Sequence, residues 1–161
     1  MLHINSMKRK SPKHIIAWEE KFSDILKLYH GNYAKKVFHR LMKKSSTLRN
    51  TLKRRSKEYA VLMKISLEEI RNLLYKSYGT ICKYCNKRLL VNNIVCDHNI
   101  PLSLGGESTI KNLQIICRTC NTRKGPLTHE EYFHLIKWLN EQDEGLKKYV
   151  YRKLSQGDSI C

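Results

Sequence analysis

No apolar run in this sequence approaches the roughly 20 residues that a helix needs to cross a bilayer. The first residues, MLHINSMKRKSPKH, are basic but contain neither an apolar h-region nor a small-residue cleavage site, so they do not read as a signal peptide. The expectation is a soluble protein of the host-cell cytoplasm, neither secreted nor membrane-bound. Internal repeats and low-complexity tracts are also missing, which excludes a repeat array. The other scarcity is acidic charge, with 14 Asp and Glu against 31 Lys and Arg, a formal charge of +17. An excess of that size implies a polyanionic partner. It is also lopsided, because residues 1–65 hold 17 basic and 4 acidic residues. No segment pairs this charge with a strong membrane-type apolar face, so nucleic acid is favoured over lipid.

What the 161 residues do contain is enough for one domain plus a small appendage. Residues 1–13 read as a basic tail that includes the Lys8-Arg9-Lys10 run. Ile15, Trp18, Phe22, Ile25 and Tyr29 recur at helical spacing over 14–30, and Gly31 is a suitable stop. Asn32 is placed to cap a second helix carrying Ala34, Val37, Phe38, Leu41 and Met42 on one face. The stretch 48–57 (LRNTLKRRSK) reads as a solvated helix against phosphates, and YAVLMKI (59–65) as a strand or a connector. Ser66 with Glu69 forms a capping box that predicts a helix over 67–77, and Thr128 with Glu131 predicts another reaching Asn140. LKKYVYRKL, after Gly145, predicts a last short helix.

Six cysteines are present, four of them in two pairs, Cys82-Lys-Tyr-Cys85 and Cys117-Arg-Thr-Cys120. A CxxC turn presents two thiolates to one tetrahedral ion, and two turns complete a closed Cys₄ zinc site. Such a site is structural, since it leaves no position for water, and it contributes folding energy to a segment too small to hold itself together. Cys96 and Cys161 stand alone, Cys96 reading as a small core residue and Cys161 as a free thiol. Six further histidines, His3, His14, His30, His39, His129 and His134, show no ligand spacing and read as surface or packing residues.

Between the two pairs lie Asp97-His98-Asn99-Ile100-Pro101, then Gly105-Gly106, Asn112-Leu113, and finally Cys120-Asn121 followed by Lys124. This combination resembles the HNH endonucleases, the ββα-metal nucleases, over roughly residues 80–126. It resembles the small standalone HNH proteins of phages and mobile elements. The resemblance implies an α+β fold: a zinc-stapled ββα core at 80–126 with C-terminal helices over 128–155. With these parts, a nuclease domain spans 66–161 and a helical, basic DNA-binding region spans 1–65. Residues 1–58 are expected to be separable from a metal site that folds without them.

The chemistry follows the same residues. His98 is suited to take a proton from an attacking water, because an imidazole with a pKa of about 6.5 accepts near neutrality. Asp97 and Asn121 offer hard oxygen ligands for a catalytic Mg²⁺ or Mn²⁺. By the resemblance, Asn112 positions the histidine or its loop, and Lys124 holds a phosphate with help from Arg118 and Arg123. The position of Asn121 is often His in the family, and an amide there favours Mg²⁺ or Mn²⁺ over zinc. The cluster Lys53, Arg54, Arg55 is expected to contact DNA phosphates. The implied activity is nicking or cutting of double-stranded DNA by a monomer or weak dimer, in a homing-type or phage DNA-processing role. A zinc-stabilised DNA-binding protein without catalysis is the alternative.

Overall fold

The computed structural model describes residues 13–156 of the chain, with Lys8-Arg9-Lys10 and Cys161 outside the described residues. The chain runs α1 (Lys13–His30), a 3₁₀ turn (Gly31–Tyr33), α2 (Ala34–Glu58), β1 (Met63–Lys64) and α3 (Leu67–Ser77). It continues β2 (Ile94–His98), β3 (Ser108–Thr109), β4 (Leu113–Cys117), α4 (Arg118–Lys124), α5 (His129–Asn140) and α6 (Glu144–Gln156). This is the expected α+β architecture. Among the described residues, no helix is long and apolar enough to cross a membrane.

Two compact units are distinguished, one ending at His39 and one beginning at Arg40. In the first, Trp18 meets Phe22 at 5.8 Å between ring centroids, and Phe22 meets Phe38 at 6.0 Å. Gly31 takes a positive φ of 46°, as expected of a stop after α1.

The second unit holds a core built on Leu52, Ile70, Leu74, Leu89, Ile94, Ile116 and Tyr132. Here the structure departs from the expectation for residues 48–57. They are not a separate solvated helix but the end of α2, and their inner face is buried: Leu52 and Ser56 are enclosed, and Leu48 packs against the core. The spacing 48, 52, 56 explains it, since residues four apart share a helix face. The cations Lys53, Arg54 and Arg55 sit between these positions and stay exposed. The compact unit that carries the cysteine pairs begins at Arg40 and takes in much of α2.

Both capping boxes are formed. Ser66 Oγ accepts from the Glu69 amide at 3.1 Å while the Glu69 carboxylate accepts from the Ser66 amide at 2.7 Å. Thr128 and Glu131 repeat the arrangement at 3.2 and 2.7 Å. Residues 59–65 turn out to be both strand and connector: β1 is two residues long and pairs in parallel with β3, Met63 opposite Ser108. The central hairpin is antiparallel, with Ile94 opposite Cys117, Asp97 opposite Gln114 and His98 opposite Leu113.

Candidate active site and metal centre

The metal centre starts from two turns. In the first, the Asn86 amide donates to Cys82 O at 2.9 Å and the Cys82 amide donates to Lys87 O at 2.8 Å, with Asn86 left-handed at φ 57°. In the second, Cys117 is at once the last residue of β4 and the N-cap of α4, its Sγ accepting from the Cys120 amide at 3.4 Å. The Cys117 amide points at Cys82 Sγ, 3.5 Å away. The four Sγ atoms lie within 4.8 Å of one another, Cys85 and Cys117 at 3.6 Å. Four sulfurs around one ion at ~2.3 Å stand about 3.8 Å apart, so the cluster fits a tetrahedral metal. The electrostatics agree. A hydrogen bond from Cys120 lowers the Cys82 thiol to about 4, and the same bond pushes Cys120 up. Cys82, Cys85, Cys117 and Cys120 are thus a structural metal site consistent with zinc.

Asp97 and His98 close β2. Adjacent strand residues leave on opposite sides, and the two side chains enter different surroundings. Asp97, with its side chain 15% exposed, uses Oδ2 twice: Gln114 Nε2 donates to it at 2.9 Å, and Lys124 Nζ lies 3.2 Å away. Among the described residues, Oδ1 has no partner. Gln114 also donates to Tyr84 Oη at 3.2 Å, and Tyr84 Oη meets His129 Nδ1 at 2.6 Å. Burial pushes the Tyr84 hydroxyl up to about 12 and holds His129 below the usual imidazole range. With the Gln114 amide donating, Tyr84 donates onward to a neutral His129. The chain His129–Tyr84–Gln114 therefore orients one carboxylate oxygen of Asp97.

His98, 5% exposed, points at the β1–β3 pair, with Nε2 2.9 Å from Ser108 Oγ. Ser108 is fully buried and hydrogen-bonded to Ser56 Oγ of α2 at 2.7 Å. Burial lowers His98 to about 4, and Arg55 and Lys124 press the same way while Asp97 opposes them. The imidazole is neutral at pH 7.

The loop between the strands is tied down by Asn112. Its Oδ1 accepts from the Ile100 amide at 2.8 Å, and its Nδ2 donates to Ile100 O at 3.0 Å and Glu107 O at 2.8 Å. The Gly pair has a cause on each residue. Gly105 is left-handed at φ 78°, and a Cβ on Gly106 would overlap the Ile100 carbonyl.

The expected phosphate contacts fall into different places. Lys124 is not on the surface: it is 1% exposed, with Nζ donating to His98 O at 3.0 Å beside Asp97. Arg123 lies 4.3 Å from the Tyr151 ring centroid and donates to Ser155 Oγ at 3.1 Å, so it ties α4 to α6. The physical reason is the helix: α4 packs on β2, β4 and α6, and two successive basic residues at its end turn to different neighbours. Arg118, at the other end, is exposed. Lys53, Arg54 and Arg55 are exposed on α2, with Arg54 paired to Glu58 and Arg55 6.0 Å from the Tyr59 ring. Asn121 is half-buried, one turn before Lys124 on α4, and residues three apart share a helix face. His129, read as a packing residue, belongs to the Asp97 network, as do Gln114 and Tyr84. The available signal was Gln114, a polar residue within the apolar run LQII; nothing in the sequence marked Ser56 or Ser108.

An antiparallel hairpin and a short helix meet at four clustered cysteines, with Asp97 and His98 at the end of one strand. Residues 82–127 match the family model of the HNH endonuclease. No curated protein matches the chain.

Proposed function

We propose that this protein is a metal-dependent endonuclease that hydrolyses phosphodiester bonds in double-stranded DNA. The observation that carries the reading is the shared strand end of Asp97 and His98, held against a loop that Asn112 ties at three points, inside the segment matching the HNH family. Phosphodiester hydrolysis needs a proton acceptor for water and a cation for the developing phosphate charge.

His98 serves as the acceptor. If Nε2–H donates to Ser108 Oγ, the lone pair lies on Nδ1, and a neutral ring at pH 7 can use it. Asp97 Oδ1 and the Asn121 amide oxygen suit a hard ion, Mg²⁺ or Mn²⁺, through one carboxylate and few other protein ligands. When bound, the ion supplies Lewis-acid neutralisation of charge on the phosphate. Gln114 and Lys124 keep Asp97 oriented, and Asn112 keeps the loop in register. Lys53, Arg54 and Arg55 contribute phosphate contacts, and Arg118 contributes another. One site per chain cuts one strand at a time, so a double-strand break takes two copies or two encounters. Homing-type and phage DNA-processing roles both use such an enzyme.

A second reading, a zinc-stabilised DNA-binding protein without catalysis, has one observation in its favour: Lys124 already supplies Asp97 with a cation at 3.2 Å. Supercoiled plasmid separates the two. The parent is expected to nick it with Mg²⁺ or Mn²⁺ and not in EDTA, leaving 5′-phosphate and 3′-hydroxyl ends. His98→Ala should be slower by about 10²–10⁴. Plasmid and phage genomic DNA left intact in every metal, with retained binding in a gel shift, would establish the non-catalytic reading.

A further inference from the structure

A second feature of the unit beginning at Arg40 lies away from the catalytic loop. Arg40, Lys43 and Lys44 on α2 and Arg118 at the start of α4 converge on one cleft, whose floor includes Val91 and Val95. Among the described residues, no acidic side chain lines it. The spacing 40, 43, 44 places the three α2 cations on one helix face, and Arg118 is brought opposite by its amide, which donates to Asn93 O at 2.7 Å. Lys44 Nζ donates to Val91 O at 3.0 Å, which anchors it at the cleft wall. Burial and then the charges of Arg118 and Arg40 lower its affinity for a proton, so these cations repel one another without a counter-charge. Like charges gathered in a concave site are relieved by a bound anion.

The position of the cleft says which anion. Val95 precedes Asp97 by two residues on β2, so both side chains leave the strand on the same side, about 7 Å apart at ~3.3 Å per residue. That separation spans about two base steps at the ~3.4 Å axial spacing of phosphates along one strand. We propose that the cleft seats a backbone phosphate of the DNA strand being cut, near the scissile one, with Arg40, Lys43 and Arg118 reaching its oxygens and Lys44 at the wall. The site sets where the strand lies along β2 and carries no base readout, because it offers only phosphate contacts. The inference takes its partner from the nuclease reading, but its test does not depend on cleavage.

The experiment measures binding of the full chain to a short fluorescent duplex across a salt series, without added Mg²⁺ or Mn²⁺. Arg40 and Lys43 are exposed, so Arg40→Gln/Lys43→Gln should retain the parent's zinc content and melting temperature. Its plot of log K against log[salt] should be shallower by about 0.9, the loss of one phosphate contact. Arg118→Gln should flatten it in the same direction by no more than that. Lys148→Gln/Lys153→Gln removes the same charge from α6 and should leave the slope near the parent's. Equal slopes for parent and cleft variant, or the same flattening in the α6 variant, would overturn the proposal. Loss of binding confined to phosphatidylserine vesicles, with duplex binding intact, would also overturn it by assigning the cleft to a lipid surface. Plasmid nicking by the parent, measured separately, decides the nuclease reading whichever way the cleft behaves.

Discussion

Gln114 illustrates how much of the candidate site depends on single residues outside the recognisable motif. It faces Asp97 across the hairpin and donates to both Asp97 and Tyr84. Partners that orient a metal-binding carboxylate typically change affinity or rate by about 10–100-fold when removed. Gln114→Leu is therefore expected to lower plasmid nicking by about tenfold and to raise the Mg²⁺ concentration for half-maximal rate, with the circular dichroism spectrum unchanged. A rate equal to the parent's would show that Asp97 is oriented without it. Lys124 stands differently, because it is a buried cation with a carboxylate partner. Removing one member of such a pair leaves the other uncompensated, at a cost of about 3 kcal/mol. Lys124→Met should lower stability by roughly that amount in urea titration, whereas a surface phosphate contact would change stability hardly at all.

At the scale of elements, α3 and α5 are set by capping boxes, and these give the acid limb of stability a definite sign. The Glu69 and Glu131 carboxyls are held below their ordinary value chiefly by the backbone amides of Ser66 and Thr128. A lowered folded pKa means that the unfolded chain binds the proton first as pH falls. The stabilisation is present above the ordinary glutamate value of ~4.3 and is lost as pH drops through the lowered folded values. The parent should melt above Glu69→Gln/Glu131→Gln at pH 7, with the gap narrowing below about pH 4; a gap that widens on acidification would contradict the assignment. The loop tied by Asn112 depends on backbone shape as well. Gly106→Ala forces a Cβ into the Ile100 carbonyl, so nicking should be lost while zinc is retained.

The molecule as a whole depends on its staple and on where its units divide. One zinc per chain is expected by metal analysis, and a strong chelator should abolish the cooperative melt, since binding free energy of a structural zinc is folding free energy. Truncation tests the division. Removing residues 1–39 leaves the compact unit that begins at Arg40, and should weaken duplex binding while leaving the zinc content intact. Removing residues 1–58 takes Leu48 and Leu52 from the core and Ser56 from Ser108, and should yield a chain that does not melt cooperatively. Survival of the shorter fragment with a normal melt would show that the metal site folds without residues 1–58.

The local signals were legible because each is carried by near neighbours in the chain. Both CxxC turns, both capping boxes and the helices over α3 and α5 could be read from residues a few positions apart, and the order Asp97-His98, Asn112, Asn121 from a succession of such short motifs. The charge imbalance was equally plain, and it pointed to a polyanion before any fold was known. What only the tertiary structure decided is which distant side chains meet. Lys124 and Arg123 are consecutive and equally basic, yet one is sealed against Asp97 and the other stacks on Tyr151, because α4 touches the hairpin on one side and α6 on another. Leu48, Leu52 and Ser56 are spread thinly among cations, so their shared buried face shows only when there is a core for it to meet. Ser56 and Ser108 are 52 residues apart, and their contact beneath His98 comes from the β1–β3 pairing and the lie of α2. Composition and spacing encode an element's face and its ends, whereas burial depends on what the rest of the chain packs against that face.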